Sequence, residues 1–237
     1  MQASKETRKL LREVAAFACG SLAALAFCFA CFIGIASDPA NHTEQPTPEP
    51  LTVREKVSKP VPAGTYMPLY LQTDTQWAAV PYAGDTIGDS GSGLACAAMA
   101  VKALTTHDVT PLTLSESVGS ACLTDGVNDP EKLAQWMADT YDDYGIEVSP
   151  KVYATKRALA YVNDGWLCFA GLSGSFGDSD YSGHVVLIWK PDESGYWVRD
   201  PASAGNSAHV FTASELNAVD FSYFVCVRGG NYGNAGH

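Results

Sequence analysis

An α+β domain is predicted for residues 65–237, because the character of the chain changes once and cleanly. Up to residue 162 apolar side chains recur with helical spacing. From Trp166 onward they fall in short runs rich in β-branched and aromatic residues, separated by turn residues. Helices first and strands second imply helices packed on an antiparallel sheet.

The elements follow in order. Ser92–Thr105 (SGLACAAMAVKALT) is nearly all small and apolar, which suits a helix packed closely on several sides. Residues 112–123 and 129–141 read as two more helices. In the second, Asp129-Pro130-Glu131 supplies a cap, a proline in the first turn and an early acid. Residues 156–162 form a short fourth helix. Strands are predicted at 166–172, 184–190, 196–200, 209–211 and 221–227, with a turn over 192–195.

The N-terminal part has a different composition. Residues 1–14 are basic and polar, and residues 15–36 (AAFACGSLAALAFCFACFIGIA) carry no charge. A helix of that length spans about 33 Å, enough for a bilayer core. Lys5, Arg8, Lys9 and Arg12 precede it, which places residues 1–14 in the cytoplasm and the rest outside the cell membrane. A single-pass anchor is expected. The alternative is a secreted protein with a signal peptide cleaved after Ala36, although signal cores are usually shorter, about 7–15 residues. Residues 37–64, rich in proline, threonine and charge, read as an extended linker.

The whole chain carries a formal charge of −11. From Thr65 onward eight Lys/Arg face twenty Asp/Glu, a formal −12. Such a surface argues against nucleic acid and anionic lipid as partners. Cys96, Cys122, Cys168 and Cys226 lie in the outer domain. Their even number in an oxidising location permits one or two disulfides, and Cys168 and Cys226 fall on predicted strands of one sheet. No CxxC or HxxxH pair occurs among residues 65–237, so neither a metal nor a cofactor is expected.

Three positions carry the candidate chemistry. Ser92 opens a helix after the Gly-rich turn GDSG. His184 stands on a strand in SGHVVLIW, and Asp200 follows in YWVRDPAS. This is a nucleophile–base–orienter order. Four motifs in sequence resemble the bacteriocin-processing (double-glycine leader) peptidases, family thirty-nine of the cysteine peptidases, and their extracellular relatives. They are Gln72-Thr73-Asp74-Thr75-Gln76-Trp77, the stretch Gly91-Ser92-Gly93-Leu94-Ala95-Cys96-Ala97-Ala98-Met99, Gly183-His184, and Asp200-Pro201-Ala202. The resemblance spans residues 67–228 and implies a papain-like cysteine-peptidase fold with Ser92, His184 and Asp200 at the catalytic positions. Ser92 stands where the family has its cysteine, and no glutamine lies shortly before it. Gln72 is the remaining candidate for an oxyanion donor, with anchoring of the opening strand as its other reading.

The serine limits the reaction. A thiol at a helix start gains from the dipole and a nearby imidazolium, whereas a hydroxyl must lose its proton during attack. Cys96, one turn later on the same face, reads as a packing residue, with a displaced nucleophile as the alternative. Asp200 reads equally as triad member or as the start of a turn before Pro201. Two function classes follow. The first is a membrane-anchored peptidase-like domain with weak or lost chemistry that binds a peptide or protein ligand. The second is an active hydrolase using Ser92, His184 and Asp200.

Overall fold

A computed structural model describes residues 66–229 of the chain, Thr106 excepted. The expected cytoplasmic tail, the 15–36 span and the linker lie outside these residues. Among the described residues no helix is long and apolar enough to cross a membrane.

The four predicted helices precede the long strands, as the sequence predicts, while a short sheet strand at Glu147–Val148 and two short helices at Ala204–Ser207 and Ala213–Ala218 are not anticipated by it. Two short strands, β1 (Pro81–Tyr82) and β2 (Asp85–Thr86), lead through the one-turn helix α1 (Ile87–Ser90) to α2 (Ser92–Thr105). Helix α3 (Pro111–Val118) begins in a Thr110–Thr113 capping box and stops at Gly119, whose φ of 49° a side chain would resist. The expected helix over 112–123 therefore ends early, and its tail becomes the hairpin β3 (Leu123–Thr124) and β4 (Val127–Asn128). Helix α4 (Pro130–Thr140) starts where predicted. Asp129 Oδ1 accepts from the N–H groups of Glu131 at 3.0 Å and Lys132 at 3.3 Å, a cap worth about 1 kcal/mol.

After β5 (Glu147–Val148) and α5 (Thr155–Asn163) come the long strands β6 (Leu167–Phe176), β7 (Ser179–Asp192) and β8 (Gly195–Arg199). Helix α6 (Ala204–Ser207), strand β9 (Val210–Phe211), helix α7 (Ala213–Ala218) and strand β10 (Phe221–Arg228) complete the described chain. Six strands form one antiparallel sheet in the order β5-β10-β6-β7-β8-β9.

Period-two alternation divides this sheet between two cores. Leu167, Phe169, Val185, Leu187, Val225 and Val227 pack with α2, α3 and α4 on one face. Cys168, Ala170, Val186, Ile188, Phe224 and Cys226 pack with α5 and α7 on the other. Helices thus cover both faces. Helix α2 is buried along almost its whole length, with only Lys102 partly exposed, which explains its run of alanine, glycine and cysteine. Small side chains let the helix approach the sheet closely enough to place its first turn against β7.

Cys96, Cys122, Cys168 and Cys226 are all free and buried. Cys168 and Cys226 are nevertheless direct partners in the β6–β10 register. The N–H of Cys226 donates to Ser149 Oγ at 2.9 Å and its carbonyl accepts from Ser149 N at 2.8 Å. Both backbone groups of Cys226 therefore point away from β6. The cysteines form a non-hydrogen-bonded pair, the closer of the two antiparallel arrangements.

Candidate active site

The start of α2 meets β7 at a gap in the sheet. The last β7–β8 register pair on this side is Leu187 with Arg199, so Val185 has no partner on β8. Two side chains of α2, one turn apart, take its backbone groups instead. Ser92 Oγ accepts from Val185 N–H at 3.3 Å, and Cys96 Sγ lies 3.4 Å from the Val185 carbonyl as donor. Cys96 is fully buried. Burial first, and the charge of Asp200 second, push its thiol well above the ordinary value. A protonated, water-excluded thiol bonded to a carbonyl is a packing group, so the displaced-nucleophile alternative has no geometric support.

Strand β7 presents His184 through an irregularity. Leu172 pairs with His184, and the next pair is Gly174 with Tyr181, so two residues of β7 oppose the single Ser173 of β6. The extra residue reverses the alternation. Tyr181 and His184, three apart, come to one face and stack with ring centroids 4.0 Å apart and planes 13° apart. Gly183, at φ 145°, takes the backbone conformation this bulge demands.

Asp200 lies behind the imidazole, immediately after β8, and has no solvent exposure. Its Oδ1 accepts from His184 Nε2 at 2.8 Å and from Ala202 N–H at 2.9 Å. Its Oδ2 accepts from Tyr181 Oη at 2.8 Å and Asn206 Nδ2 at 2.9 Å. Burial alone would raise this carboxyl. The hydrogen bond and charge of His184, then Asn206 and Ala202, outweigh burial and hold it below its ordinary value. An ionised carboxylate only accepts, so His184 Nε2 must carry a proton and Nδ1 is the free ring nitrogen. Tyr181 remains a donor, because burial first and the Asp200 carboxylate beside it push its phenol upward.

The three expected residues are therefore brought into one region, with one contact missing. Ser92 and His184 are both buried, and both line a cleft of ≈ 390 Å³ with Asn128, Gly171 and Tyr223. No hydrogen bond joins Ser92 to His184 among the described residues. The serine hydroxyl is engaged by the backbone of β7 instead. Gln72 does not line the cleft. Its Nε2 donates to the Gly88 carbonyl at 2.6 Å and its backbone N–H donates to Pro201 O at 2.8 Å. It ties the opening segment to the turn before α2 and to the turn after Asp200, which is the anchoring reading. His107 and His209 are exposed, away from this cleft's lining. No group of three or more His, Cys, Asp or Glu suited to a metal occurs among the described residues.

Sequence reasoning missed Tyr181 and Asn206. The bulge hides the first, since ordinary alternation would put residues 181 and 184 on opposite faces. Asn206 links two distant segments: Nδ2 also donates to Phe176 O at 3.0 Å, and Oδ1 accepts from Asp178 N–H at 3.2 Å. Gly177 sits over it at φ 61°, and a Cβ there would lie 1.9 Å from Asn206 Oδ1. Gly177→Ala is expected to displace Asn206 and to deprive Asp200 of one donor. A loss of about 2–4 kcal/mol should follow from backbone strain and the broken buried bonds, read by urea denaturation. A loss below about 0.5 kcal/mol would show that the loop simply shifts.

No family model matches this chain, and a search of curated proteins finds no match. Among solved structures, a protein described as a C39-like peptidase from Bacillus anthracis is similar. It is 12% identical at a TM-score of 0.43, and the match covers 68% of this chain and 94% of that one.

Proposed function

We propose that residues 65–237 form a peptidase-like domain of the bacteriocin-processing type in which the peptidase chemistry is weak or lost, retained to bind a peptide or protein ligand. One observation carries this reading. The His184–Asp200 pair is fully assembled, yet the Ser92 hydroxyl is bonded to Val185 N–H and not to the imidazole. A serine nucleophile needs a base within hydrogen-bond reach of its proton, and misplacement by about 1 Å costs on the order of a hundredfold. Under the same proposal, the charge-free segment 15–36 anchors the chain in the cell membrane with this domain outside, and secretion is the alternative.

The rival reading is an active hydrolase using Ser92, His184 and Asp200. What favours it is the completeness of the carboxylate's shell, which holds the imidazole as a base requires. Labelling of the full chain by a fluorophosphonate separates the two. Wild type is expected to resist labelling, and its peptide turnover should match that of Ser92→Ala. Labelling at Ser92, with turnover lost in Ser92→Ala, would establish the hydrolase instead.

A further inference from the structure

We propose that Cys168 and Cys226 are a disulfide-forming pair, oxidised by exchange with a glutathione or protein disulfide, so that a covalent bond joins β6 to β10. The step needs only that oxidant, so it stands or falls independently of what the cleft binds.

Register, face and surroundings agree. Cys226 is the direct partner of Cys168, and the ladder runs without a shift on either side, through Val225 with Phe169 and Val227 with Leu167. Both backbone groups of Cys226 are spent on Ser149, so the pair has the non-hydrogen-bonded arrangement. Partners of this kind lie about 4.5 Å apart at Cα, within the roughly 4.4–6.8 Å that a disulfide spans. Direct partners also share a face, and both side chains pack in the core covered by α5 and α7. Burial first, and the Cys226 thiol beside it second, push the Cys168 thiol well above its ordinary value.

The other two thiols of the described residues do not compete. Cys96 and Cys122 belong to the core on the opposite face, so the sheet separates them from this pair. Each is engaged by a carbonyl of its own, Cys96 Sγ by Val185 at 3.4 Å and Cys122 Sγ by Lys132 at 3.6 Å. The reaction is a double exchange. The thiolate of one cysteine attacks the oxidant's disulfide, which forms a mixed disulfide and releases one thiol. The thiolate of the second cysteine then attacks the protein-side sulfur, the Sγ–Sγ bond forms, and a second thiol leaves. Two electrons pass from the cysteines to the oxidant, and the two protons they lose are balanced by those taken up by the released thiols. Both cysteines are fully buried. Exchange therefore proceeds while the strands are open, and the finished bond is shielded from reductants.

The test starts from the full-length chain, fully reduced and then held with oxidised glutathione in urea just below its unfolding transition, where opening admits the reagent. After the urea and glutathione are removed, remaining thiols are alkylated with iodoacetamide in denaturant and the peptides are mapped by mass spectrometry. Cys168 and Cys226 are expected in one linked pair of peptides, two hydrogens lighter than the dithiol, with Cys96 and Cys122 alkylated. The linked chain should unfold at a urea midpoint about 1 M or more above that of the reduced chain, because the bond constrains the unfolded state. Cys168→Ala, treated in the same way, should show no oxidant-dependent shift of its midpoint. If that variant does not fold, the oxidised and reduced wild type decide alone. Alkylation of both cysteines, glutathione left on either without a link, or a link to another cysteine overturns the proposal. So does an unchanged or lowered midpoint in the linked chain. None of these outcomes touches the reading of the cleft, which this bond does not use.

Discussion

Ser92→Cys is expected to create a reactive thiol and to raise peptide cleavage by about a hundredfold or more over the wild-type chain. On the proposed peptidase-like reading, the surroundings of residue 92 suit a thiolate. It opens a helix of 14 residues with no acid in its first turn, and His184, oriented by Asp200 at 2.8 Å, lines the same cleft. The helix dipole and the imidazolium both favour a negative sulfur, and a cysteine is already a few per cent thiolate at neutral pH. The native hydroxyl gains little from either. Selective labelling, mapped to position 92 by peptide, is readable because the competing thiols among the described residues are suppressed. Cys96, Cys122, Cys168 and Cys226 are all buried, and burial first pushes the thiols of Cys96 and Cys168 well above their ordinary values. The measurement is the rate of iodoacetamide modification at position 92 together with turnover of an unstructured peptide. A thiol at 92 that reacts no faster than an unperturbed cysteine would remove the peptidase-like reading of this site.

The parts legible in the sequence were those set by local periodicity. Alternation of Leu167, Phe169 and Val185 against Cys168, Ala170 and Val186 fixes β6 and β7, and the small-residue run after Gly91 marks the buried α2. The region that brings Ser92, His184 and Asp200 together was legible because each sits at an element boundary with its own motif. What sequence could not supply was contact between side chains of distant segments. Tyr181 reaches His184 only because one extra residue in β7 reverses the alternation. Asn206 acts through the turn at Gly177 and through Asp200, positions 29 and 6 residues away. The pairs β1–β2 and β3–β4 have two residues per strand, too few for a period to register. Gln72 had two readings, and geometry favours the anchoring one because its amide is spent on Gly88.

Asp200→Asn is expected to cost about 3–5 kcal/mol at neutral pH. Each carboxylate oxygen faces two donors, His184 Nε2–H and Ala202 N–H at Oδ1, and Tyr181 Oη–H and Asn206 Nδ2–H at Oδ2. An amide in either orientation sets its own NH2 against one of these pairs. A side chain with no solvent exposure cannot relieve that conflict with water. The wild type should also show an acid limb that the variant lacks. Because the folded carboxyl titrates below its ordinary value, its stabilisation is complete above the unfolded value of about 3.9. It is then lost as pH falls through the depressed folded value. Asp200→Asn removes the titrating group, so that limb should flatten while the variant stays less stable at every higher pH. Urea denaturation at pH 7 and a series below pH 5 read both effects. A loss under about 1 kcal/mol at pH 7, or an acid limb of unchanged steepness, would mean that Asp200 does not hold the charge that orients His184.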